Sequence, residues 1–456
     1  MISDQNVRDE VLDVTKSFLV QAPAGSGKTS LLVQRFLCAL AIAKQGPEEI
    51  VAITFTRKAA AEMRDRIIAT LELGLNSQQP DNSYNAGLWS IARNVLQRDK
   101  QSGWQILNNP ARLKVMTIDA LCASITKRMP ILSRFGAQPK IETKPEPLYS
   151  QAVDQFLLTI DQNVSWQDAL FKLLGYLDND RAKVKKLLIR MLQIREQWLR
   201  NLAYNLLNQN MRQELEIGLE LAVAESLDQL INIIPEDLDF TILSCLEPQD
   251  LDAWLKVAAT LLTATGTWRR TVTAKEGFAA PSSSKNKEEK LQLQARKTAM
   301  LEMLEKLSSY ESFRVQLDAI RKLPPLNYDE QQWQIVAALT TVLPVLAAQL
   351  TVVFRDVGQV DFTEIALAAS HALADQNAPT DLALELDCKI QHILVDEFQD
   401  TSHTQYRLLE QLTSSWEPHD GRTLFLVGDP MQSIYRFRQA EVGLFFKGQT
   451  SGHWQY

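Results

Sequence analysis

The apolar run Phe18-Leu19-Val20 passes directly into Gln21-Ala22-Pro23-Ala24-Gly25-Ser26-Gly27-Lys28-Thr29, and from there into the helical spacing of residues 30–40. No other segment restricts the fold as much. A strand that turns into a helix through small residues points successive backbone N–H groups at one place, beside the positive end of the helix, and so forms a phosphate cradle. Lys28 is placed to reach β- and γ-phosphates, and the Thr29 hydroxyl to ligate Mg²⁺. Ala22 occupies the first position of the pattern, which tolerates Ala or Gly. A plain glycine-rich turn is the simpler reading, but correct elements on both flanks weigh against it.

Such a unit belongs in a parallel sheet, and the rest of the chain has the matching rhythm. Residues 50–55 and 115–118 read as buried strands, and 57–73 as a helix-period stretch, in βαβ order. Residues 390–395 and 423–427 repeat the pattern, with a helix over 404–412 between them. From about 136 to 357 the texture changes. Leu-, Gln- and charge-rich stretches at 149–159, 181–206, 212–231, 251–262, 288–307 and 331–354 have helical spacing and few strand signals. Residues 271–290, with Gly277, Pro281 and Ser282-Ser283-Ser284, read as an exposed loop. The expectation is therefore an α/β fold with a parallel sheet: a nucleotide-binding domain in two segments, 1–135 and 358–456, interrupted by a large all-helical insertion domain over 136–357.

A phosphate cradle needs an acid at the end of a neighbouring strand. Ile393-Leu394-Val395-Asp396-Glu397 supplies two, Asp396 to hold Mg²⁺ and Glu397 to polarise an attacking water. Alone, paired acids after a strand are more often a turn or a helix cap; beside the cradle the balance reverses. A third strand leads into Gly428-Asp429-Pro430, which reads as a tight turn, and Gln432 stands just beyond it where a γ-phosphate sensor would sit.

With these residues assembled, the chain resembles the UvrD/Rep group of superfamily 1 helicases. Asp396-Glu397-Phe398-Gln399-Asp400-Thr401 resembles helicase motif II, and the stretch from Val427 through Gln432-Ser433-Ile434-Tyr435-Arg436-Phe437-Arg438 resembles motif III. Ile53-Thr54-Phe55-Thr56-Arg57-Lys58-Ala59-Ala60-Ala61-Glu62-Met63 is similar to motif Ia, and Thr117-Ile118-Asp119-Ala120-Leu121-Cys122 to the next DNA-contacting motif. The bulky helical middle, Arg436-Phe437-Arg438 and Val360-Asp361-Phe362 look most like RecB/AddA-type helicase–exonuclease subunits. The resemblance implies a RecA-like P-loop NTPase domain that uses ATP and Mg²⁺ to move 3′→5′ along DNA, in double-strand-break repair. It implies that Gln5 reads the adenine edge and that Gln432 couples γ-phosphate loss to movement. It also implies that Phe55, Thr56, Arg57, Thr117 and Asp119 line the single-strand path, where Tyr435 and Phe437 offer faces to bases and Arg438 adds a cation. A stacked base is worth about 1–3 kcal/mol in any sequence, which suits a motor on arbitrary DNA.

Plainer roles stand beside these. Phe55 could be core, Tyr435 and Phe437 could pack under the sheet, and Glu62 with Arg66 is a helix-surface pair. Arg181, Lys183, Lys185, Lys186, Arg190, Arg195 and Arg200 form a basic stretch that is a solvated face by default and a duplex-binding patch otherwise; Trp268-Arg269-Arg270 is similar. Asp119 departs from the family, which has His there, and an anion repels phosphate; Gln439 replaces a usual Gly.

Composition excludes several other classes. A net charge of −7 rules out nucleic-acid binding by bulk electrostatics while leaving room for a local groove. The four cysteines, Cys38, Cys122, Cys245 and Cys388, lack the spacing of a zinc site or a disulfide framework. No signal peptide is read at the start, and no apolar run of the roughly 18–20 residues that cross a bilayer, so a cytoplasmic, membrane-free protein is expected. The 17 Gly and 17 Pro among 456 residues favour helices over turn-rich β architecture. The motif III segment ends at Arg438, and the family's second RecA-like domain supplies an arginine finger worth roughly a thousandfold in turnover. The chain is expected to be the N-terminal portion of a longer helicase, nearly inactive alone. Its expected partners are a nuclease or helicase subunit, that second domain, and single-stranded and duplex DNA. A non-motor regulatory module is the alternative, and the joint presence of Lys28, Thr29, Asp396, Glu397 and Gln432 favours the motor.

Overall fold

The computed structural model describes residues 5–23, 25–76, 78–128, 139–162, 164–199, 211–243, 250–283, 286–324, 326–375 and 378–429. Its centre is a five-stranded sheet. The strands are β1 (Phe18–Gln21), β2 (Ile50–Thr54), β3 (Lys114–Thr117), β4 (His392–Val395) and β5 (Thr423–Gly428), in the order β1-β5-β4-β2-β3. Every neighbouring pair is parallel. Strands β2, β4 and β5 are buried at every residue. That is the condition of a parallel sheet covered on both faces, and it explains why each strand reads as an unbroken apolar run. Register aligns the strand ends: Gln21 faces Gly428, Leu426 faces Val395, Val395 faces Ile53 and Thr54 faces Thr117. All five C-terminal ends therefore lie along one edge, where open α/β sheets bind ligands.

Helix α1 (Lys28–Ile42) covers one face, burying Leu32, Phe36 and Leu40 at i, i+4 and i+8 into a core with Ile50, Leu394, Phe425 and Val427. Arg35 on the same helix is 1% exposed and is held by backbone. Its guanidinium donates to the carbonyls of Val11, Asp13 and Lys16 and lies over the rings of Phe18 and Phe425. One arginine thereby fastens the segment before β1 to the sheet. Helices α2 (Arg57–Gly74) and α3 (Ser83–Ser102) pack so closely that a Cβ on Gly74 would sit 2.7 Å from Ala92 Cβ, which requires glycine there.

The described residues fall into two compact units, those up to 199 with those from 340, and those from 211 to 339. Helices α4 (Ile118–Arg128), α5 (Glu146–Leu158), α6 (Arg181–Gln193) and α7 (Phe362–Leu373) all belong to the unit that carries the sheet. A buried ion pair ties the stretch after α6 to the start of α7. Arg195, beyond the end of α6, grips both oxygens of Asp361 at 2.6 Å, and the Tyr149 hydroxyl donates to the same carboxylate. The other unit has its own core around Trp254, Leu261, Met300, Leu307 and Phe313.

One helix corrects the sequence reading. Glu330–Val357 holds a stretch of mean hydropathy 2.0, long and apolar enough by composition to cross a membrane. Val342, Leu346, Leu350 and Val353 on it are buried at helical spacing, as in a core-packed helix.

Candidate nucleotide site

At the shared strand edge, β1 opens into the glycine turn. Gly25 and Gly27 take φ of +75° and +86°, the left-handed region that side chains avoid, and Gly27 caps α1. The Ala22 N–H donates to the Gly428 carbonyl at 3.1 Å, and the Ser26 N–H to the Pro23 carbonyl at 3.3 Å, so the turn is fixed from both sides. Arg8 Nη2 donates to the Ser26 carbonyl at 2.7 Å and brings a cation to the mouth of the turn. Pro23, Gly25 and Gly27 are exposed.

Strand β4 brings the acids. Its ladder with β2 runs one residue past the strand, the Asp396 N–H donating to the Ile53 carbonyl at 2.9 Å. There the chain turns sharply: Glu397 takes φ of +50° and opens a single turn over Phe398–Asp400. Lys28 Nζ lies 3.4 Å from Glu397 Oε2, an ion pair between groups 369 positions apart in sequence. The cradle lysine and the acid pair are thus brought together, with Thr29 next on the same helical turn.

Electrostatics at Asp396 suit a cation. The carboxyl is 7% exposed, and burial first, then the charge of Glu397, push its pKa up to about 6. A buried carboxylate pressed in this way gains by taking a metal ion. Within the cradle, the Ser26 hydroxyl is buried without a hydrogen-bond partner among the described residues, a donor suited to an anionic oxygen. The residues present fit Mg²⁺ and a phosphate chain.

The other expected site residues divide. Gln5 opens the helix Gln5–Glu10. Ala24, Gln432, Tyr435, Phe437 and Arg438 lie outside the described residues, as does Arg200. Phe55 is 8% exposed and, with Asp119, lines a cleft of about 400 Å³ beside the sheet edge. The hydroxyls of Thr56 and Thr117 are helix caps, accepting from the Ala59 and Ala120 N–H groups; Arg57 is exposed. The cleft holds Asp119, Glu146, Glu196, Asp361 and Asp400 against Arg190, so its lining does not favour phosphate at Asp119. In the basic stretch, Arg195 is committed to Asp361, and Lys185 pairs with Asp154 at 2.6 Å. Trp268 stacks on Phe313 and Arg269 pairs with Glu276 at 3.2 Å, both structural roles.

Sequence reasoning missed Arg8 and Gln399, the latter at 2.7 Å from Glu397 although it lies inside the motif II segment. It also missed Glu196, whose carboxylate accepts from the Ser402 hydroxyl and the Thr404 N–H and so caps the helix after the acid pair. A helix-start signal, Ser402-His403-Thr404-Gln405, was present, but nothing local named Glu196 as its partner.

Comparison with known proteins bears on this geometry. The family described as "UvrD/REP helicase N-terminal domain" matches residues 3–451. Among similar proteins are three that are named as subunits of an ATP-dependent helicase/nuclease. Those of Lysinibacillus sphaericus and Exiguobacterium sibiricum are 26% identical, and that of Oceanobacillus iheyensis 25%. Each alignment covers 94% of this chain and 35% of the relative, so the chain spans about a third of the length of the curated relatives it matches.

Proposed function

The chain belongs to the UvrD/REP helicase N-terminal domain family, and on that premise we propose that it is the ATP-binding part of a 3′→5′ DNA helicase or translocase working in double-strand-break repair. The observation that carries this reading is the Lys28–Glu397 contact at 3.4 Å with Asp396 beside it, because a phosphate grip, a metal-holding acid and a base must meet at one triphosphate. The partners proposed with it are single-stranded and duplex DNA, a second motor domain, and another component of a helicase–nuclease, in the cytoplasm. The parallel sheet is read as a RecA-like domain, and the helical middle as an insertion within it.

Each residue has a task in the proposed reaction. The backbone N–H groups of Gly25, Gly27, Lys28 and Thr29 wrap the β-phosphate, and Lys28 turns from Glu397 to the β- and γ-oxygens. Asp396 and Thr29 would hold Mg²⁺, which when bound neutralises charge developing on the phosphoryl oxygens. Glu397, released from Lys28, accepts the proton of the attacking water. Phe55, Thr56, Arg57 and Thr117 line the path of the single strand, presenting main chain and the Arg57 cation to its phosphates.

The test is DNA-stimulated ATP hydrolysis by the whole gene product that contains this chain. Lys28→Ala should lower turnover by roughly a hundredfold or more, as for loss of one charged group on the transferring phosphoryl. Unchanged turnover would contradict the assignment.

A further inference from the structure

One buried side chain between the two acidic strand ends has no task in the reaction as drawn. Gln399 is 1% exposed, and both ends of its carboxamide are engaged. Nε2 donates to Glu397 Oε2 at 2.7 Å, and Oε1 accepts from the Asp429 N–H at 2.8 Å. The partners fix the orientation of the amide, because a carboxylate accepts and a backbone N–H donates. Glu397 stands in a backbone conformation that side chains seldom adopt, so its direction is set by its neighbours. Its Oε2 is also the oxygen that meets Lys28. Two donors therefore share one atom, one from the phosphate grip and one tied to the main chain at the end of β5. Asp429 precedes Gln432 by three positions. When Lys28 turns to a phosphate, Oε2 loses one of these two donors and the bond from Gln399 tightens.

We propose that Gln399 is a positioning residue, which orients the Glu397 carboxylate and transmits the state of the nucleotide site to the backbone at Asp429. The proposal rests on the reading of Lys28 and Glu397 as a triphosphate site. Its experiment is amide hydrogen exchange at Asp429 in this chain, with and without Mg²⁺ and the non-hydrolysable analogue AMP-PNP. A fluorescence titration sets equal occupancy in every variant. In the unaltered chain, nucleotide should slow exchange at Asp429. Gln399→Ala should speed it about tenfold, the loss of one hydrogen bond, and abolish the response to nucleotide while affinity stays the same. Gln399→Glu keeps an acceptor for Asp429 and, buried against the Glu397 carboxylate, holds a proton that it donates to that oxygen, so protection and the response to nucleotide should both persist. A response to nucleotide retained in Gln399→Ala overturns the proposal, as does a parallel loss of affinity in both variants. Failure of the site reading looks different: the unaltered chain and Lys28→Ala would bind AMP-PNP equally, or not at all.

Discussion

Arg195→Met should destabilise the sheet-bearing unit by about 3–5 kcal/mol at pH 7.5, the range for breaking one side of a buried ion pair. Arg195 and Asp361 are 2% and 3% exposed, so removing the guanidinium leaves a carboxylate that water cannot reach. Burial alone would raise the Asp361 pKa; the charge and hydrogen bonds of Arg195 hold it below the usual carboxylate value. Without Arg195 the burial effect prevails and the folded-state pKa lies above the unfolded one. A raised carboxyl pKa means that the folded state binds more protons, so the variant loses stability as pH rises and recovers part of it on acidification. Chemical denaturation at pH 7.5 and at pH 5 should show the larger deficit at the higher pH. Equal deficits would mean that packing against Phe354, 5.7 Å from the guanidinium, matters more than charge.

Asp396→Asn should have the opposite effect on the nucleotide-free protein and make it more stable. Its carboxyl titrates at about 6 in the fold against an ordinary value of 3.8. Across that window stability falls as pH rises, by an amount on the order of 3 kcal/mol once both states are ionised. Asn removes the charge and still offers an oxygen to the Glu397 N–H, which Asp396 accepts at 3.1 Å. Thermal unfolding at pH 7.5 should therefore favour the variant, and at pH 4 the two proteins should agree. With Mg²⁺ and nucleotide present the order should reverse, because only the carboxylate gains from the metal. Protons compete for the same oxygen, so stabilisation of the unaltered protein by Mg²⁺ should fade below pH 6. A variant that is less stable than the parent at pH 7.5 without metal would contradict this account. Such a trade of stability for a charged site is common where function needs an unpaired ionised group.

How much of this was legible in sequence follows from burial. Runs read at 50–55, 390–395 and 423–427 lie within two residues of β2, β4 and β5, because strands covered on both faces carry apolar residues throughout. The glycine turn between β1 and α1 was legible because its geometry needs small residues at fixed places, and Gly25 and Gly27 do take positive φ. Boundaries of the compact units were not legible. Arg195 sits in a run of Lys and Arg that reads as a solvated face, and its burial depends on Asp361, 166 positions later. The helix Glu330–Val357 escaped notice as a long apolar element because Gln, Thr and Pro344 interrupt the run in sequence without ending the helix. Gln399 stood in plain view inside a motif, but only three-dimensional proximity reveals that its two ends join Glu397 to Asp429.

The most direct measurement is an equilibrium titration of this chain with a fluorescent ATP analogue, with and without Mg²⁺, alongside Lys28→Ala. Convergence of Lys28, Asp396 and Glu397 on one triphosphate predicts saturable, Mg²⁺-dependent binding that weakens about tenfold or more in the variant, the worth of one charge-assisted contact. Binding that ignores both the metal and the loss of Lys28 would contradict it.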